Sequence, residues 1–161
     1  MKQPEEIFEY LKQNFGESLF EYKAADVGQP WIEIDVSSVK EIMKFLRDDN
    51  ELLFDVLMCL SGVHYPDKEA VGVTYHINST TFNHSLALKA IVPLVDPVVP
   101  SVESIWKTAN WHEREAWDMV GIRFKDHPNH KRILCADDWE GHPLRKDYVQ
   151  QEFYQGMPTG E

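Results

Sequence analysis

Three carboxylates fall within six residues of one another: Glu113, Glu115 and Asp118, in the stretch WHEREAWDMVGIRF that opens at Trp111. Two acids so close suit general acid–base work, one protonated and one ionised. The simpler reading is a solvated helix face, with Glu113 near the positive helix end and Arg114–Asp118 as an i,i+4 pair. Further on, His127, His130 and His142 have the side chains to ligate a metal, with Glu115 or Asp118 beside them, and so to serve a stand-alone metal-dependent hydrolase. The spacing is unspecific, and His112-Glu113 does not complete H-E-x-x-H because residue 116 is Ala. The chain has no G-x-x-x-x-G-K-[ST], G-x-G-x-x-G or G-x-S-x-G, so nucleotide binding and serine hydrolysis have no support in the sequence. Trp106, Trp111, Trp117 and Trp139 cluster beyond the needs of a small core. Core packing is expected for one or two of them, Trp117 on an inner helix face foremost. Arg114, Arg132, Arg145 and Lys146, set among aromatics and carboxylates, suit bidentate contacts at a protein interface.

The elements that must position these residues are legible from periodicity. Ile7, Phe8, Leu11 and Phe15 recur at helical spacing over 3–15, with Pro4 in the first turn and Gly16 at the stop. Ser18–Ala24 and Trp31–Val36 read as strands. The second alternates Ile32, Ile34 and Val36 against Trp31, Glu33 and Asp35, which implies one wet face. Ser38 and Glu41 have capping-box spacing and open a helix to about Asp49, with Val39, Ile42, Met43 and Leu46 inward. Leu52–Val63, Ala70–Asn78 and His84–Val92 follow as strands, the last two joined by a polar hairpin link. Pro93, Pro97 and Pro100 then interrupt regular structure. Ser101 is expected to cap a short helix to Thr108, and Asn110 a second one from Trp111 to Val120, stopped by Gly121. The order is α-β-β-α-β-β-β and then helix. This predicts an α+β fold, a mixed sheet with flanking helices, and an extended, loop-rich C-terminal arm. We expect residues 1–124 to form the α+β domain and 125–161 the arm, which packs on partner subunits.

Composition narrows the function further. A net charge of −11 argues against a nucleic-acid partner. No apolar run nears the ~18 residues of a membrane helix, so no direct membrane insertion is expected. The opening MKQPEEIFEY is acidic and lacks the features of a secretory signal or transit peptide. Two cysteines, Cys59 and Cys135, are too few for an iron–sulfur cluster of the usual four Cys ligands. Cys59, in an apolar run, reads as a small buried hydrophobe.

The stretch from Trp111 to Tyr148 also resembles a known family, the C subunit of NADH–quinone oxidoreductase, which is the 30 kDa subunit of respiratory complex I. The match runs through Glu113-Arg114-Glu115, Asp118-Met119-Val120, His127-Pro128, Lys131-Arg132 and Ile133-Leu134. It continues through Trp139, Gly141, Pro143, Arg145, Lys146, Asp147 and Tyr148. Photosynthetic and hydrogenase relatives share much of this pattern, so the branch stays open. The resemblance implies a non-catalytic structural subunit in the peripheral arm of a proton-pumping complex, on the cytoplasmic side of the bacterial inner membrane. It implies that no cofactor is bound by this chain: FMN, iron–sulfur clusters and quinone belong to neighbouring subunits. The implied partners are the quinone-site D subunit and the terminal iron–sulfur B subunit. The residues just named carry over as motif and interface positions, with no catalytic or metal-binding role.

Overall fold

Alternation in Trp31–Ile34 does what its pattern requires: Ile32 and Ile34 are fully buried, while Trp31 and Glu33 face the other side. The computed structural model describes residues 2–24 and 28–159. Five strands form one sheet: β1 Leu19–Lys23, β2 Trp31–Ile34, β3 Val56–Tyr65, β4 Ala70–Ser79 and β5 His84–Pro93. Their spatial order is β1-β2-β5-β4-β3, with β2 and β5 parallel and the other pairs antiparallel. The fold is α+β around a mixed sheet, as the element order predicts.

Helices α1 Pro4–Phe15, α2 Val39–Asp48 and α3 Ala109–Val120 add their apolar stripes to the core on one sheet face. Ile7 and Leu11 of α1, and Val39, Ile42, Met43 and Leu46 of α2, are fully buried there. The opposite face carries Trp31, Glu33, Thr74, His76 and Lys89, all half-buried, with the Lys89 ammonium 3.9 Å from the Trp31 ring centre.

Several local expectations are corrected. Ser38 does not cap α2, because a 3-10 turn over Val36–Ser38 already runs into it. The cap moves back to Asp35, whose carboxylate accepts from the Ser37 N–H at 3.1 Å, while the Ser38 hydroxyl donates to Ser18 Oγ at 2.9 Å. The apolar run at Leu52 does not begin a strand. Leu53 has φ +43°, and the resulting turn sinks Leu52 and Phe54 into the core. Strand β3 starts only at Val56. The prolines do not exclude a strand either: β6 Val98–Pro100 pairs in parallel with β7 Arg123–Lys125. It is three residues long and ends at its proline, where a missing N–H costs least. No helix forms between Ser101 and Thr108; the segment is a run of turns, with Trp106 N–H donating to Val102 O at 3.0 Å. Helix α3 then begins at Ala109, two residues before the expected start.

Gly62 fixes how closely α3 approaches the sheet. A Cβ there would meet Ala116 Cβ and Val120 Cγ2, each at 3.2 Å, and Ile122 Cδ1 at 3.3 Å. Gly62→Val therefore overfills the α3–β3 seam. We expect a loss of about 1–3 kcal/mol, read as a lower urea midpoint at unchanged slope.

Candidate functional site

On α3, Ala109, Ala116 and Val120 mark an inward stripe at helical spacing, and Glu113 sits within it. Its fully buried carboxylate accepts from the Ser101 hydroxyl at 2.6 Å and from the Val102 N–H at 2.7 Å. It thereby ties the segment after β6 to α3. Burial pushes this carboxyl up to about 7, against the pull of Ser101 and Val102. Its Oε2 also lies 3.8 Å from His127 Nε2. The buried Tyr75 hydroxyl titrates well above its ordinary range, through burial and then the charge of Glu113.

Asp118 points the other way, into the arm. Its Oδ2 accepts three successive backbone N–H groups, from Ile133 at 3.0 Å, Leu134 at 2.8 Å and Cys135 at 2.9 Å. Its Oδ1 takes Arg132 Nη1 at 2.5 Å. Burial pushes this carboxyl up, but the three amides and Arg132 outweigh it and hold it below the ordinary range. Arg132 goes on to donate to Trp139 O at 2.7 Å and Gly141 O at 3.0 Å. Arg114 donates to Lys131 O at 3.0 Å and Arg132 O at 2.9 Å. The Arg114–Asp118 pair expected from spacing is absent among the described ion pairs, because each side chain is committed to the arm. Neither Glu113 nor Asp118 lies on a solvated face; only Glu115 of the three is exposed. The three acids diverge, so no acid–base pair is assembled.

The histidines are likewise spent on backbone. His127 Nε2 donates to Asn110 O at 3.1 Å and its Nδ1 accepts from Asn129 N–H at 3.0 Å. His130 Nε2 accepts from Phe124 N–H at 3.1 Å, and His142 Nδ1 donates to Asp118 O at 3.0 Å. Burial lowers both His127 and His130 from their ordinary range. Among the described residues no three His, Cys, Asp or Glu side chains are grouped to hold a metal ion, and the hydrolase reading finds no support.

Past Arg132 the arm is fastened at further points. Leu144 N–H donates to Met119 O at 2.9 Å, and Lys146 N–H to His64 Nδ1 at 2.9 Å. Arg145 forms a two-bonded pair with Asp147, at 2.8 and 2.5 Å, which holds the Asp147 carboxyl down at about 2. Trp139 Nε1 donates to Tyr148 Oη at 3.2 Å. Gly141 has φ +79°, and a Cβ there would meet the Tyr148 ring at 3.0 Å. Pro128, Lys131, Lys146 and Asp147 stay exposed, and Pro143 is half-buried. One tryptophan packs in the core as expected, but it is not Trp117. Trp106 is the core residue, 5% exposed and bonded to Phe54 O. Trp117 is half-buried against His130 and Arg132, beneath the arm. Cys59 is also half-exposed rather than buried, its sulfur 3.3 Å from Ser61 Oγ. His64 was not singled out by sequence reasoning, and Ser101 only as a helix cap, whereas its hydroxyl serves Glu113 instead. Neither lies in a motif, and both act through contacts distant in the chain.

The same fold occurs in solved structures. A chain of the membrane-bound sulfane sulfur reductase, an archaeal respiratory membrane complex, superposes with a TM-score of 0.75 at 20% identity, covering 92% of this chain and 86% of that one. A trypsin-resistant fragment of Nqo5 gives 0.64 at 24% identity, covering 76% of this chain and 98% of the fragment. These likenesses define the fold. Residues 32–154 match the family described as the respiratory-chain NADH dehydrogenase 30 Kd subunit, and the chain belongs to that family. It is 43% identical over 158 residues to the NADH-quinone oxidoreductase C subunit of Chloroherpeton thalassium, spanning 96% of this chain and 65% of that relative. It is 40% identical over 159 residues to the same subunit of Chlorobium phaeobacteroides, spanning 98% of this chain and 95% of that relative. Members of the family are thus parts of an oxidoreductase complex. Among the described residues no helix is long and apolar enough to cross a membrane.

The two buried carboxylates lend themselves to opposite tests. Asp118→Ala strands three amides and a guanidinium. We expect a loss of about 3–5 kcal/mol and much faster tryptic cleavage after Lys131 and Arg132, read by mass spectrometry of a digestion course. For Glu113 the folded pKa of about 7 exceeds the ordinary 4.5. The folded state therefore holds the extra proton between those values, and stability falls as pH rises through that window. The span corresponds to about 3 kcal/mol. Glu113→Gln keeps an acceptor for Val102 and offers a donor to Ser101. Urea unfolding at pH 5 and pH 8 should show this variant nearly level where the wild type declines.

Proposed function

We propose that this chain is a non-catalytic scaffold in the peripheral arm of an NADH–quinone oxidoreductase, holding the quinone-site D subunit and the terminal iron–sulfur B subunit in register. One observation carries the reading: the buried or half-buried charged motif residues on and beneath the arm, Arg114, Asp118 and Arg132, are spent on the path of the chain's own backbone. They hold the arm at residues 131–141. Among its charged residues the arm also offers apolar side chains outward: Leu134, Leu144, Val149, Phe153 and Met157 are each more than 60% exposed. Such residues suit the buried centre of a protein interface. Residues 1–124 then act as the folded base and 125–161 as the contact arm, with FMN, clusters and quinone held by neighbours. The bacterial relatives, named as NADH-quinone oxidoreductase subunits, support attachment to a bacterial inner membrane through other subunits. The proposal puts the chain on the cytoplasmic side of that membrane.

A tagged chain recovered in mild detergent from its native membranes tests this. The expected eluate is a large complex containing flavin and iron, with NADH–quinone reductase activity. Recovery of the chain alone, without such activity, overturns the proposal. Arg145→Ala removes only a surface pair with Asp147, so the isolated chain should melt within about 2 °C of wild type. Recovery of neighbours should drop in the same variant.

A further inference from the structure

Strand β3 forms one outer edge of the sheet and is ten residues long. Its ladder partner is β4. On its other side alternate residues present N–H and C=O groups outward. No backbone group outside β4 bonds to them among the described residues. Sheets usually blunt such edges with short strands, charges or proline. The opposite edge follows that rule: β1 has five residues, a register irregularity, and the charged Glu21 and Lys23. Between Val56 and Tyr65 there is no proline and no Asp, Glu, Lys or Arg. The register shift between Leu57 and Cys59 disturbs only the start of β3. It leaves Val56 and Met58 outward, 38% and 49% exposed, and residues 59–63 as a regular, unguarded stretch.

We infer that β3 is a docking edge, and that an extended strand of a neighbouring subunit pairs along residues 59–63 and continues the sheet. This rests on the scaffold reading and specifies how one neighbour is held. A row of free amide and carbonyl groups is answered by an extended polypeptide. Its neighbours across the ladder are Met58, Cys59, Ser61 and Val63, so the added strand carries apolar or small side chains there, without charge. The edge is continuous with the arm: Lys146 N–H binds His64 at the far end of β3, and the exposed Leu144 lies two residues earlier. One partner can therefore meet both. A second copy of this chain is the poorer occupant, because two bodies of charge −11 repel.

Hydrogen exchange on the purified complex and on the isolated full chain tests the inference, together with Met58→Lys. Alternate amides of 59–63 should exchange at least tenfold more slowly in the complex. Met58→Lys, at an exposed site, should leave the isolated chain folded and cut recovery of neighbours at least tenfold. If wild-type chain brings down its neighbours while those amides exchange equally in both samples, the docking edge is wrong and the scaffold reading stands. Wild-type chain that brings down no neighbour overturns both. Slow exchange in the isolated chain that depends on its concentration assigns the edge to a second copy and overturns the inference.

Discussion

The architecture of the last third of this protein depends on one buried anion. A lone carboxylate taken from water into a protein interior costs several kcal/mol, and only donors gathered around it offset that cost. Asp118 gathers four: three successive amides and a guanidinium. The exchange works in both directions. The arm has no regular partner of its own over 126–152, so its N–H groups need acceptors from elsewhere. A single side chain on α3 supplies one for three of them, those of Ile133, Leu134 and Cys135. Arg132 then carries the constraint onward, since the same guanidinium that neutralises Asp118 also holds the carbonyls of Trp139 and Gly141.

Glu113, on the same helix, shows what happens with fewer donors. It is shielded from solvent like Asp118 and lies deeper in the protein, yet it receives only a hydroxyl and one amide. Burial prevails and its carboxyl rises, whereas that of Asp118 falls. The two acids bond to opposite neighbours of α3, the segment after β6 and the arm. Because Gly62 lets α3 sit directly against β3, the helix joins sheet, connector and arm into one packed unit. A shift of α3 would be felt at all three.

The residues 113–118 also mark where sequence reasoning reaches its limit. Periodicity located the sheet and α2 well, since burial of Ile32, Ile34, Ile42 or Leu46 needs only the local pattern. Glu113 broke that pattern by occupying an apolar stripe between Ala109, Ala116 and Val120, and this was the available sign that it is buried. The partners of Asp118 left no such sign: local i,i+4 spacing pointed to Arg114, but the arm returns Arg132 and three amides to it from residues 132–135. Similarly, Ser38 had cap spacing, and Asp35 displaced it because a 3-10 turn lengthened the helix entry. The pairing of β6 with β7 joins residues 98–100 to 123–125, a closure across α3 that no window of sequence contains. The family motif was legible as letters. Its physical content, a set of clamps on backbone, required the fold.

Those clamps bear on how an assembly surface can be prepared in advance. Ordering a flexible segment on binding costs free energy that the interface must otherwise supply. Here the fastenings run in sequence, from Arg114 on Lys131 through Asp118 and Arg132 to Lys146 on His64, and so reach Tyr148 within the chain itself. Beyond it the contacts thin to the short hairpin of β8 Phe153–Tyr154 and β9 Met157–Pro158, tethered by Tyr154 Oη to Asp138 at 2.7 Å. The exposed apolar residues divide along this gradient. Leu134 and Leu144 sit on backbone already fixed, while Val149, Phe153 and Met157 sit on the loosely held end. A partner meeting the first pair finds a preformed surface and loses little to ordering. A partner meeting the second group gains apolar area but must also fix the segment that carries it. Contact should therefore begin at the clamped stretch and close over the hairpin afterwards, an order set by where α3 spends its charges.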